Sequence, residues 1–212
     1  MPRRLAISVL GNILADGDHY TDAVSVKEAE LAMKRRVGAT ADSILVSQGN
    51  LALTYSMLGR HGEGNRMLRD VYCGRLKING EEHESTINAA LNYAASLVTL
   101  RRYEEAKALL RKAIPVARRV LGEGHDVTLK TMRIYAWALH EDPGATLDDL
   151  REAVTALEET ERTARRVFGG THPLVLDTER KLRDARAALR ARETQPSSDS
   201  RDGELDEVED VV

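Results

Sequence analysis

The chain has 212 residues and a net charge of −3, a length that allows one compact domain, two small domains or one elongated array. This balanced charge provides no general positive field, so nucleic-acid binding is not expected. No segment has the length of an apolar membrane span, and the basic N-terminus lacks a signal-peptide cleavage pattern. With one cysteine in the whole chain, disulfides are not expected either, which predicts a cytoplasmic protein.

Internal repetition is the strongest pattern in the chain. A Gly-x-x-His motif occurs at Gly80–His83, returns 42 residues later at Gly122–His125, and returns again after 47 residues at Gly169–His172. The triplets 50–52 and 92–94 keep the same 42-residue step. Five extra residues in the third unit fit best at 142–146, where a Pro-Gly pair favours a turn and Thr146 can cap a following helix.

Each repeat unit is predicted to contain two helices. The apolar positions Ala106, Leu110, Ala113 and Ala117 follow the spacing of one helical face, and no stretch shows the alternation of a strand. We expect a repeat domain over 1–193 and a disordered acidic tail over 194–212. Within the domain the predicted units are about 5–37, 38–79, 80–121 and 122–168, followed by a cap helix over 173–193.

The repeated residues Leu51, Tyr55, Gly59, Gly64 and Leu68 resemble those of the tetratricopeptide repeat. The 42-residue period, the Asn-Leu-Ala triplet and the run 102–106 are similar to the kinesin light chain subclass. This resemblance implies an all-α fold, a right-handed superhelical α-solenoid of about three and a half helix-turn-helix repeats plus the cap helix. It also implies a concave groove lined by the first helix of each repeat, the surface that binds cargo peptides in kinesin light chains.

Candidate binding residues follow from the positions that the resemblance places in this groove. In the third unit a cationic and aromatic ridge lies beside the buried stripe of its first helix. The predicted partner-binding residues are Asn50, Leu53, Asn88, Leu91, Asn92, Lys130, Arg133, Trp137 and His140. The ridge predicts a binding patch for a protein or peptide, since Trp and Arg are common at binding hot spots, and its cations predict an acidic ligand. The alternative is that Trp137 belongs partly to the core and its charged neighbours are ordinary solvated residues.

No pattern in the sequence predicts an enzyme, a cofactor or a metal site. His83, His125 and His172 occur once per repeat, too far apart to share one zinc ion, and are expected at turns or helix starts. Cys73 is expected to be a buried or partly buried structural thiol. The predicted function is therefore a non-catalytic scaffold for protein–protein interaction. Two alternatives stay open, an architectural module that associates with itself and a repeat fragment of a nucleotide-dependent signalling ATPase, and the oligomeric state is left open as well.

Overall fold

A computed structural model describes the backbone of residues 2–194 and the side chains from residue 8 onward. Over this range the chain forms helices joined by short turns, and no strand occurs among the described residues, as the sequence predicted. The predicted acidic tail lies outside the described residues except for Thr194. The helices are α1 (Pro2–Asp16), α2 (Tyr20–Arg36), α3 (Ala41–Met57), α4 (His61–Asn79), α5 (Glu84–Thr99), α6 (Tyr103–Leu121), α7 (Asp126–Glu141), α8 (Leu147–Phe168) and α9 (Pro173–Glu193).

The Gly-x-x-His motif is a helix stop followed by a helix start. Its glycine adopts a positive φ, 78° at Gly80 and 89° at Gly122, which ends a helix at little steric cost. Its histidine is the N-cap of the next helix: the ring Nδ1 of His83 accepts a hydrogen bond from the backbone N–H of Ser85. His125 and His172 cap α7 and α9 in the same way. The predicted helix-start role of the three histidines is confirmed.

The five-residue insertion lies in the turn between α7 and α8, where the sequence places it. Thr146 caps α8 by accepting a hydrogen bond from the backbone N–H of Asp149, whose carboxylate accepts one from the backbone of Thr146 in return. This reciprocal capping box pairs two N–H groups that would otherwise lack partners. The longer turn therefore leaves the start of α8 well defined.

Consecutive helices pack against each other and build a solenoid, and the first helices α5, α7 and α9 also pack side by side. The largest core cluster spans α5 to α9 and is rich in leucine and alanine. Leu97, Leu110, Leu139 and Leu157 are at most 1% exposed, and each contributes roughly 1.5–3 kcal/mol by burial. Alanines at zero exposure between them let the helices approach closely. None of the helices in this part of the chain is both long and apolar enough to cross a membrane.

Cys73 is exposed, so the prediction of a buried thiol was wrong. Helix α4 turns Leu68, Val71 and Arg75 toward its neighbours. Cys73 lies two residues after Val71, which is about 200° around the helix and thus on the solvent side. The sequence contained this information, since the apolar spacing of α4 fixes which face is buried.

Candidate functional site

An open groove lies between the first helices α3 and α5. Unlike α5, α7 and α9, which pack on one another, α3 and α5 make little direct contact within the described residues. Helix α4 lies between them and forms part of the floor with Val71 and Arg75. The resulting groove has a volume of about 260 Å³.

Four of the predicted partner-binding residues line this groove together. Asn50 and Leu53 come from α3, and Asn88 and Asn92 come from α5. Asn50 and Asn88 are exposed, Asn92 is half-buried, and Leu53 is 39% exposed, a high value for a large apolar side chain. Amide side chains can both donate and accept hydrogen bonds, so the groove offers polar partners on both walls and an apolar surface beside them.

Gly49 helps to keep the groove open. It lies in the middle of α3 and lines the groove, and a Cβ added there would meet no atom within 4 Å. The residues 42 and 84 positions later in the chain are Leu91 and Arg133, which are much larger. Because Gly49 has no side chain, the junction between α3 and α5 keeps a space that Leu91 and Arg133 occupy at the corresponding positions of α5 and α7.

Leu91 belongs to the core instead of the groove surface. It is 6% exposed and packs in the large cluster that spans α5 to α9. The close packing of α7 on α5 covers it. Of the predicted residues on α5, only Asn88 and Asn92 line the groove.

Arg133 on α7 pairs with a carboxylate from the cap helix. Its guanidinium donates to Asp177 on α9, and the arginine side chain is only 17% exposed. Burial lowers the pKa of Arg133. Burial works to raise the pKa of Asp177, but the hydrogen bond from Arg180 and the charge of Arg133 lower it overall. Arg133 thus carries a charge that the chain itself compensates.

Trp137 is half-buried beside the cap helix as well. The Nζ of Lys181 lies 4.0 Å from the centroid of the indole ring, which is cation–π geometry. Burial lowers the pKa of Lys181, although the charge of Asp177 opposes this. Lys181 was not among the predicted residues, although α9 continues the row of first helices and so places its side chains beside those of α7.

His140 and Lys130 complete the predicted ridge at opposite ends of α7. The His140 side chain is only 5% exposed, and its Nδ1 lies 3.0 Å from the carbonyl oxygen of Ala136. Lys130 is 43% exposed and donates to Asp126 at 2.6 Å. The ridge therefore exists, but much of it is covered by α9 or paired within the chain, and its most accessible cation is Lys130.

Comparisons with known proteins agree with this architecture. Tetratricopeptide-repeat models match residues 44–85 and 79–142. Two crystal structures of nearly identical TPR-like repeats, assigned to a kinesin light chain of Podospora anserina, match at TM-scores of 0.74 and 0.73. Both are 22% identical and cover 90% of this chain, which in turn covers 88% and 89% of theirs.

A further crystal structure, BtubC (BKLC) from P. vanneervenii, matches at a TM-score of 0.67 with 15% identity. The match covers 97% of this chain and 86% of that one. No curated protein matches the sequence. The matches show tetratricopeptide repeats in a kinesin light chain-like solenoid, as the sequence pattern predicted.

Proposed function

Because this chain carries tetratricopeptide repeats folded like those of kinesin light chain-like proteins, we propose that it is a non-catalytic scaffold that binds an extended peptide segment of a protein partner. The groove between α3 and α5 is the binding surface. Proteins with this repeat are typical interaction scaffolds, and the repeat domain over 1–193 is proposed to act as one unit. A cytoplasmic location is part of the same proposal.

The observation that carries this function is the arrangement of Asn50, Asn88 and Asn92 around an open apolar groove. An extended peptide exposes unpaired backbone N–H and C=O groups along its length, and these need partners when they are desolvated. Asparagine amides on both walls supply such partners without reading the peptide's side chains. Leu53, exposed beside them, offers an apolar contact for a side chain of the partner.

Cations on α7 and α9, beyond the groove itself, favour a partner that carries acidic residues toward this end of the surface. Lys130 is the accessible cation there, and its bond to Asp126 is an exposed pair worth at most about 1 kcal/mol, so an acidic side chain can replace it. Lys181 adds a second cation beside Trp137. Arg133, held by Asp177, is proposed to position this end of the surface instead of contacting the partner.

One observation favours the architectural alternative. Helix α1 exposes Val9, Leu10 and Ile13 to between 48% and 61%. Neighbouring apolar side chains exposed on one helix form a surface that a second copy of the chain can cover. Self-association through α1 is therefore the second candidate, and sedimentation of wild type and Ile13→Glu tests it: a concentration-dependent dimer that the substitution abolishes would support it.

A matched pair of glycine substitutions tests the groove. Gly49→Leu fills it, whereas Gly62→Leu places the same side chain on α4, also where no atom lies within 4 Å of the new Cβ. Peptides selected from a random displayed library on the wild-type chain should bind Gly62→Leu equally well and Gly49→Leu at least tenfold more weakly. Retained helicity in circular dichroism shows that both variants fold. Equal binding by all three proteins would exclude this groove as the peptide site.

A further inference from the structure

A second cavity opens away from the proposed groove, between the second helices α6 and α8. Its floor is α7, which contributes Met132 and Tyr135, and its walls include Ile114 and Ala156. The cavity has a volume of about 340 Å³, within the range of sites that hold small ligands or single side chains. It shares no residue with the groove between α3 and α5.

The preceding junction of the solenoid shows what fills this position. Tyr72 on α4 stands 42 residues before Ile114, and Tyr93 on α5 stands 42 before Tyr135. The Tyr72 ring stacks on Tyr93 with centroids 6.2 Å apart, and the cavity left between α4 and α6 is only about 40 Å³. In the later junction Tyr135 takes the place of Tyr93, with Arg111 Cζ 5.8 Å from its ring centroid, but isoleucine replaces the tyrosine.

A side chain on the opposite wall of the cavity is also smaller in the later junction. After correction for the five-residue insertion, Ala156 on α8 corresponds to Leu109 on α6. Met132 is larger than its counterpart Ala90, so it occupies part of the space that the two smaller side chains leave. Two reductions in side-chain size therefore account for an open cavity where the earlier junction is closed.

The polar groups of the cavity suit a phenol ring. The Tyr135 hydroxyl donates to Glu152 at 2.8 Å and accepts from Arg111 at 3.0 Å, which fixes the tyrosine ring. Arg118 donates from Nη2 to Glu159, but its Nε is buried and has no hydrogen-bond partner among the described residues. Glu152 and Glu159 also line the cavity, and either carboxylate can accept a hydrogen bond from a phenol hydroxyl that enters it.

We propose that this cavity binds the side chain of a tyrosine from a protein partner, which stacks on Tyr135 as Tyr72 stacks on Tyr93. The partner's hydroxyl donates a hydrogen bond to the carboxylate of Glu159, which lines the cavity. The site is separate from the proposed peptide groove and does not depend on it. It would give the scaffold a contact on its outer face while the groove is occupied.

The probe for this site is N-acetyltyrosinamide, an uncharged mimic of a tyrosine within a peptide. Its binding is followed by methyl NMR of methionine-labelled protein, with the Met132 signal assigned by its loss in Met132→Leu. A ring stacked on Tyr135 should shift the Met132 methyl with saturation in the millimolar range expected for a fragment of this size. N-acetylphenylalaninamide should bind more weakly, and N-acetylleucinamide at least tenfold more weakly.

Two substitutions place the larger side chains of the closed junction into the cavity. Ile114→Tyr and Ala156→Leu should each remove the saturating shift, whereas Ile114→Val should keep it. A Met132 methyl that does not respond to the tyrosine probe would overturn the proposal, and so would a response that survives both filling variants in folded protein. Because the groove variants leave this cavity untouched, either proposal can fail without the other.

Discussion

Two glycines in adjacent helices should respond in opposite directions to the same substitution. Gly49 lies in α3 with no atom within 4 Å of an added Cβ, so alanine there meets no obstacle. Gly64 lies in α4, where an added Cβ would sit 2.6 Å from Ser56 Oγ and 2.8 Å from the carbonyl oxygen of Ala52. The serine hydroxyl can rotate, but the backbone oxygen can move only with its helix.

The magnitudes follow from these distances. Replacing glycine by alanine inside a helix gains about 1 kcal/mol of stability when nothing opposes it, which is the expectation for Gly49→Ala. Overpacking against a backbone atom costs up to about 3 kcal/mol, so Gly64→Ala should lose about 2 kcal/mol after the same gain is subtracted. For a chain of this size the Tm should rise by about 2–4 °C in the first variant and fall by about 4–8 °C in the second.

Urea denaturation followed by circular dichroism at 222 nm measures both variants against wild type, and thermal melts give the Tm values. The two substitutions change the unfolded chain in the same way, so the difference between them reports the folded structure alone. A Gly64→Ala variant as stable as Gly49→Ala would refute the close approach of α3 and α4 at this point. A destabilised Gly49→Ala would refute the open groove.

Two further predictions concern charged side chains. Trp137 is the only tryptophan, so the fluorescence of the protein reports on this one side chain. We expect the anion iodide to quench it less in Lys181→Met than in wild type, while quenching by neutral acrylamide stays unchanged. An equal decrease in quenching by iodide and by acrylamide would contradict the contact with Lys181. Burial raises the pKa of Glu30, but hydrogen bonds from Lys34, Ser8 and Ser47 lower that pKa overall. The ionised carboxylate therefore stabilises the fold at neutral pH, and this stabilisation is lost as Glu30 is protonated below about pH 4. Glu30→Gln should therefore lower the urea midpoint at pH 7 and reduce its fall between pH 6 and pH 3, and a parallel pH dependence in both proteins would show that Glu30 contributes nothing to it.

Much of the fold could be predicted because the repeated residues act locally. A glycine that accepts a positive φ can end a helix, and a histidine whose Nδ1 accepts from the backbone N–H two residues later starts one. The period of 42 residues then counts the repeats, and the insertion at 142–146 reads as a longer turn with its own cap at Thr146. These features can be predicted without knowing any contact between residues that are distant in the chain.

The candidate site was predictable only in part. The repeat register places Asn50, Asn88 and Asn92 on the same surface, and the structure brings them together around one groove. Register alone gave no distance between helices, so it could not distinguish the open junction at Gly49 from the closed junction that buries Leu91.

The amino-acid sequence by itself determined that each repeat forms two helices, where the glycine and histidine motifs end and start them, and which face of a well-patterned helix is apolar, because capping and periodicity act within a few residues. Only the tertiary structure decided which charges are free to meet a partner. Arg133 and Trp137 look like an exposed ridge along the chain, yet Asp177 and Lys181, more than 40 residues away, pair with them once α9 packs on α7. Such pairing depends on the spacing and rotation of neighbouring helices, which the packing of whole side chains sets and no local pattern records.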